Sequence, residues 1–236
     1  MHPPNSIHSL STCENCSCRL DGVFKQLRSE EIALLQNNKR CKHYAKGESI
    51  FREGTRSNGL YCISSGKVKI FKTGDEGRDY IVRLAGAGDI IGYRALISDE
   101  PYYASAVAFE PTSVCLVPTS DFNSFVSGNP GFLKSLMQQL SHDLRVAEER
   151  MLHLAQKSVR ERLADTLLLL VSMYGTRGSD HQLSVELTRD DIASLVGTAT
   201  ETTIRLLSDL KSEGIIATNG KKIMILNEKA LKAIAG

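Results

Sequence analysis

Cys13, Cys16 and Cys18 fall within the stretch STCENCSCRL, a segment otherwise too polar to fold by itself. A disulfide knot, a metal site and an unrelated role are the three readings open to thiols so spaced. The remaining cysteines, Cys41, Cys62 and Cys115, lie further along the chain. A lone buried cysteine usually serves as a small apolar residue, so those three carry chemistry only in company. The amino-terminal trio is harder to dismiss, because exposed polar tails seldom carry free thiols without use.

Composition narrows the choice. A chain of 236 residues, 42% of them hydrophobic, can bury an ordinary core and needs no staples. The first twenty residues hold no apolar run of signal-peptide length, and nowhere do eighteen uncharged apolar residues follow one another. A cytoplasmic protein with no membrane partner is expected. In that compartment clustered cysteines read as metal ligands or redox groups sooner than as disulfides. The C-x2-C spacing is also a common half of a tetrahedral zinc site. A net charge of +2 gives no global basic field, so nucleic-acid binding would need a local surface. None of the six histidines pairs with a cysteine or carboxylate at catalytic spacing, and no phosphate loop or nucleophile elbow occurs. An enzyme is not expected.

The elements that would position these thiols change character twice along the chain. A short helix over 30–36, capped by Ser29, precedes a region from Lys46 to Pro118 of short β-prone runs punctuated by glycines. LYCISSGKVKIFK and TGDEGRDYIVRL read there as two alternating strands joined by a turn rich in Gly and Asp. Many short strands and tight turns indicate a jelly-roll or β-roll. From Pro130 the pattern is helical, with Leu133, Met137, Leu140, Leu144, Ala147, Met151 and Leu154 alternating at four and three residues. That 3.5-residue repeat is a heptad seam and predicts a homodimer; packing of the same stripe on the β-roll is the alternative.

The last segment has its own architecture. A helix over 158–174 should stop at Gly175, followed by the strand LSVEL. Thr188 and Asp191 suit a capping box, Gly197 ends that helix, and Thr198 with Glu201 suits a second box for a helix through Lys211. Two short helices joined at glycine make a helix-turn-helix, and Asn219-Gly220 between apolar strands supplies a wing. The second helix would present Thr200, Glu201, Thr202, Thr203 and Arg205 to base edges in the major groove of double-stranded DNA. Glu201 can accept from cytosine and Arg205 can donate twice to guanine, unless the two merely pair with each other. Thr188, Arg189, Lys211, Lys221 and Lys222 are the candidates for phosphate contacts. The fold class is thus α+β, divided into a cysteine-rich arm (1–20), a β-roll sensor domain (21–128), a dimerisation helix (129–157) and a winged helix-turn-helix (158–236).

With TRDDIASLVGTATETTIRLLSDLKSEGII and a hairpin behind it, KGESIFREG and LYCISSGKVKIF, the chain resembles the Crp/Fnr family of bacterial transcription regulators from about Lys46 to its end. The resemblance implies a cyclic-nucleotide-binding-like β-roll, a dimer on a palindromic site, and RNA polymerase as a further partner. It matches Glu201 and Arg205 to the pair that reads a shared G·C-containing core, with Ile204 where members of other preference differ. Members that bind cyclic AMP carry a glutamate after a glycine and then an Arg-Ser pair; here Tyr93, Tyr102 and Tyr103 stand at those positions, with Arg94 one residue past the first. Tyrosine cannot replace a guanidinium on a buried phosphate, so cyclic AMP is not expected. The Fnr branch of the family resembles this chain in joining amino-terminal cysteines to one late in the β-roll. That resemblance implies a [4Fe-4S] iron-sulfur cluster on Cys13, Cys16, Cys18 and Cys115, with Cys62 and Cys41 as alternates. The C-x2-C-x-C spacing is tighter than in that branch. Zinc on the cysteines, or haem or a nucleotide in the β-roll with the cysteines incidental, are the competing readings.

Overall fold

The computed structural model describes residues 12–74 and 77–236. Residues 1–11, the start of the expected arm, and Asp75 and Glu76, inside the expected Gly/Asp turn, lie outside the described residues. The chain divides into two units, one made of Met1–Thr73 with Val82–Asp143 and the other of Gly74–Ile81 with Leu144–Gly236.

The described part of the arm, from Thr12 onward, folds around its cysteines. A single 3-10 turn, Cys13–Asn15, leads into the four-residue helix α1 (Ser17–Leu20), and a second turn, Val23–Gln26, leads into α2 (Ser29–Asn38). The cap of α2 is Arg28 rather than Ser29, because Glu31 accepts from the Arg28 backbone N–H at 2.7 Å and pairs with its guanidinium. Strands follow as β1 (Arg40–Tyr44), β2 (Ser49–Phe51), β3 (Gly59–Ser65), β4 (Lys67–Thr73), β5 (Asp79–Gly86) and β6 (Ile90–Ile91). After α3 (Tyr93–Ser98) come β7 (Ser105–Ala108) and β8 (Thr112–Pro118).

These strands form two sheets, β1-β8-β3-β6 and β2-β7-β4-β5. LYCISSGKVKIFK is therefore two strands in different sheets, not one. Gly66 makes the break: its φ is +89°, and an added Cβ would lie 2.4 Å from the Thr112 hydroxyl. Strand β3 is buried on both faces. Tyr61 and Ile63 enter the roll interior with Val68, Ile91 and Val114, while Leu60 and Cys62 join a second core on the outside. That outer core takes in Cys13, Cys18, Phe24, Leu35, Tyr93, Phe122, Phe125, Phe132 and Leu136.

Helix α4 (Thr119–Gly128) and the long α5 (Pro130–Gln156) close the outer core. Phe132 is fully buried, stacked on Phe24 and edge-on to Phe122 and Phe125. The expected seam lies on other faces of the helix: Met137 and Met151 are each 61% exposed, and Leu144 is 60% exposed. Leu140 departs from that seam and packs against the outer core, in line with Phe132 and Leu136.

The second unit continues with α6 (Val159–Tyr174), β9 (Thr176–Arg177), β10 (Gln182–Leu183), α7 (Arg189–Val196), α8 (Thr200–Ser212), β11 (Ile216–Asn219), β12 (Lys222–Ile225) and α9 (Glu228–Ala235). Ser158 caps α6 in a reciprocal box with Glu161. LSVEL keeps its alternation, with Leu183, Val185 and Leu187 buried, but only its first residue lies in a strand. The sheet order is β11-β12-β10-β9. Helix α9, whose Leu231 is fully buried, has no counterpart in the sequence reading.

Removing Phe132 leaves a cavity among three aromatic rings, so Phe132→Ala should lower the unfolding free energy of the first unit by about 3 to 5 kcal/mol. Met137→Ala, one turn away on the exposed side, should change it by less than about 0.5 kcal/mol. Urea unfolding of both variants, at a concentration too low for self-association, checks the difference.

Candidate functional site: a thiol pocket and a DNA-reading head

The cysteines converge. In an antiparallel ladder, residues directly opposite each other project to the same face. Cys115 stands opposite Cys41 on one side and Cys62 on the other, so β1, β8 and β3 present a row of three sulfur side chains. The arm lays Cys13, Cys16 and Cys18 over this row, and these three line one pocket with Cys62, Cys115, Arg19 and Lys39. The sequence left open whether the strands of Cys62 and Cys115 are neighbours; they are.

Each arm thiol is fixed differently. The Cys13 backbone N–H donates to Gln36 Oε1 at 2.8 Å, and the Cys13 side chain is buried. Cys18 Sγ donates to the Ile63 carbonyl at 3.1 Å. A hydrogen bond to Cys18, with burial second, holds the Cys16 thiol well above its ordinary pKa. For Cys18 the bond from Cys16 acts downward, but the bond to Cys62 and burial outweigh it, and this thiol too is pushed up. Both groups are thus protonated at neutral pH, and a metal arriving here would displace protons.

One expectation fails. Cys41 and Cys115 form a disulfide, while Cys13, Cys16, Cys18 and Cys62 are free. Compartment and size argue against a disulfide among the clustered arm cysteines, which are free, but say nothing of strand register; direct opposition in the β1–β8 ladder brings the sulfurs of Cys41 and Cys115 together. Cys115, expected as a ligand, is engaged elsewhere in this state. The donor set suits zinc or an iron-sulfur cluster, since both favour thiolates. The void among the sulfurs is about 20 Å³, room for one water, and no group of three His, Cys, Asp or Glu among the described residues is arranged to hold a metal ion. The residues fit a thiolate-bound group by chemistry, and a cluster would enter only if the arm moved outward.

The three tyrosines at the cyclic AMP positions do other work. Tyr102 is buried, stacked on Phe51 with centroids 4.1 Å apart and hydrogen-bonded to Ser57 Oγ at 2.8 Å, so aromatic rings occupy the roll interior there. Tyr103 is exposed beneath Lys72. Tyr93 is buried and its hydroxyl donates to Asp143 of α5. Arg83 approaches the same carboxylate at 3.3 Å, and Gln139 donates to its other oxygen at 2.9 Å. Arg94 is exposed. Burial, then the bond to Asp143, raises the Tyr93 pKa, so the phenol remains a donor throughout the physiological range. Asp143 was missed by the sequence reading, although a carboxylate three residues beyond Leu140 on the inward stripe was the available signal.

In the second unit, Thr188 caps α7, its hydroxyl accepting from the Asp191 N–H at 3.0 Å while Asp191 accepts from the Thr188 N–H at 3.1 Å. Gly197 ends α7 in the left-handed region at φ +72°. The second capping box does not form: α8 begins after Ala199, Thr198 instead donates its backbone N–H to Ala193, and Thr200 donates to Asp190 Oδ1 at 2.7 Å, tying α8 to α7. Glu201 and Arg205 are exposed on one face of α8, with Ile204 beside them. Neither pairs with the other. Thr203 is 1% exposed and bonds the Ala199 carbonyl, so it belongs to the core and not to the reading surface. Arg189 donates to the Gly220 carbonyl at 3.2 Å and braces the wing. The wing turn is Gly220-Lys221, one residue later than expected, since Asn219 pairs with Lys222 in the ladder. Lys211, Lys221 and Lys222 are exposed.

Comparison with known proteins agrees with both halves of this architecture. A cyclic nucleotide-binding domain model matches residues 41–129, and a Crp-like helix-turn-helix domain model matches 161–234. The transcriptional activator protein Anr of Pseudomonas protegens is 30% identical over 97% of this chain and 94% of its own length. The fumarate and nitrate reduction regulatory protein of Vibrio cholerae is 32% identical over 95% of this chain and 90% of its own. Among solved structures, FixK2 of Bradyrhizobium japonicum superposes with a TM-score of 0.74 at 28% identity, covering 84% of this chain and 98% of that one. With Glu201 and Arg205 held out from a capped, winged reading head, this chain is a DNA-binding transcription regulator and belongs to the Crp/Fnr family.

Proposed function

We propose that this regulator acts as a homodimer whose thiol pocket carries an iron-sulfur cluster, of the [4Fe-4S] kind, and that oxygen, nitric oxide or redox state sets its DNA affinity through that pocket. The observation that carries the reading is the convergence of the three arm cysteines with Cys62 and Cys115 of the sheet on one pocket, beside the core that also buries Phe132 and Leu136 of α5. The relatives named for fumarate and nitrate reduction support it. Cys13, Cys16 and Cys18 would supply three ligands and Cys115, once reduced, the fourth. When bound, such a cluster supplies lability toward oxidants.

The chain's own residues carry the consequence outward. Outward movement of the arm changes the packing of Phe24 on Phe132 and of Cys18 on β3. The Tyr93–Asp143–Arg83 contact holds α5 at the next turns, up to the last residue of the first unit. Its exposed stripe of Leu133, Met137, Leu144, Ala147, Met151 and Leu154 is the surface for the same helix of a second copy. Dimer geometry then sets the distance between two recognition helices, which must match half-sites of a palindrome about 34 Å apart. Glu201 and Arg205 read bases; Lys211, Lys221 and Lys222 meet phosphates. A cytoplasmic setting and RNA polymerase as a further partner follow from this role. The aromatic filling of the roll interior speaks against haem or a nucleotide there.

Three measurements test the reading. Protein purified without oxygen should contain iron and acid-labile sulfide and bind its operator at least tenfold differently from the stripped form; a Cys13→Ser, Cys16→Ser double variant should lose both properties, and a colourless, iron-free wild type with unchanged affinity after reconstitution refutes the cluster. Leu144→Glu should leave the chain folded but shift it to monomer in sedimentation, whereas an unaltered dimer would move the interface elsewhere. Arg205→Ala should cost about 1 to 3 kcal/mol and relax preference at one base pair. Equal weakening on all sequences would make Arg205 a phosphate contact instead.

A further inference from the structure

Five of the six sulfurs line one pocket, one more than a four-thiolate group needs, and the sixth, Cys41, stands opposite Cys115 in the adjoining strand. Two of the six are bonded to each other, and one of those, Cys115, lines the pocket beside the arm thiols. We infer that the Cys41–Cys115 disulfide is a gate on the pocket: it withdraws Cys115 from the ligand set, and a small-molecule thiol/disulfide couple opens and closes it. The inference rests on the cofactor reading above and adds to it a second input, thiol oxidation.

The placement favours a gate over a staple. Strands β1 and β8 already pair over five residues, Arg40 to Tyr44, so the ladder does not need a covalent bond to hold it. Strand β1 is the edge of its sheet and Cys41 is partly exposed there, which gives an attacking thiol access to one sulfur of the bond. The other sulfur lies in the same row as the free thiol of Cys62. A disulfide with one sulfur accessible and a free thiol beside the other is placed for exchange, since exchange proceeds by thiolate attack on an accessible sulfur.

The chemistry balances with the couple alone. Opening consumes two molecules of a small thiol: the first attacks Cys41 Sγ and expels Cys115 as thiolate, and the second attacks the mixed disulfide and expels Cys41. Two electrons pass from the small thiols to the protein, which gains two protons, and one small disulfide is released. Closing is the reverse, with a small disulfide as oxidant. A Cys115 thiolate in the pocket completes the set with Cys13, Cys16 and Cys18; with the bond closed, three arm thiols and Cys62 remain.

The test uses full-length protein, reduced, desalted and loaded with iron and sulfide under strict exclusion of oxygen. Glutathione disulfide is then added, and retained iron and the Cys41–Cys115 cross-linked peptide are followed together. Wild type should release iron as the cross-link forms, and Cys41→Ser should release its iron at least tenfold more slowly. Equal rates in the two proteins, retention of iron by fully cross-linked wild type, or absence of the cross-linked peptide each overturns the gate. The second of these outcomes would assign the fourth place to Cys62, and Cys62→Ser would then lose its iron. Failure of reduced wild type to take up iron at all is seen before any disulfide is added; it overturns the cofactor reading, and the gate falls with it.

Discussion

The β1-β8-β3-β6 sheet must be covered on both faces, and the outer cover is made by the cysteine arm, α2, α4 and the start of α5. Burying an apolar face of this kind is worth about 25 cal/mol per Å², so the arm cannot be lifted without the sheet and the helix both losing contacts. That constraint joins a chemical site to a mechanical one. Cys18 and Phe132 belong to one core.

Helix α5 is built to serve two masters. Its inward stripe, Phe132, Leu136 and Leu140, ends in Asp143, which is held by Tyr93, Arg83 and Gln139. Its outward stripe is apolar and exposed, with two methionines and an alanine where leucine or isoleucine would pair more tightly. If α5 pairs with a second copy as proposed above, a weak seam beside a strong inner face lets a small change of inner packing shift that association equilibrium. Such a shift needs a differential free energy of only a few kcal/mol between two states.

Much of this was legible in the sequence. Capping residues, glycines and hydrophobic periods mark local structure, and the helix-turn-helix, the wing and α6 follow from them. Errors arose where a tertiary contact decided the outcome. Thr203 falls within the recognition helix but faces inward, which is fixed by how α8 packs and not by its sequence position. The break at Gly66 separates two sheets, and only the crowding by Thr112 shows why. Cys41 reads in the sequence only as an alternate ligand, because nothing in one chain's sequence states that β1 lies beside β8 or in which register. Long-range register is the information that a single sequence lacks, and here it governs both the disulfide and the convergence of five sulfurs on one pocket.

The central claim is that the state of the thiol pocket reaches α5 through their shared core. Amide hydrogen exchange on iron-loaded and stripped protein, compared without oxygen at equal occupancy of the dimer, measures this directly. The account predicts altered protection not only in 12–27 but also along α5 from Gln139 to Met151. A change confined to the arm, with α5 identical in the two forms, would contradict it.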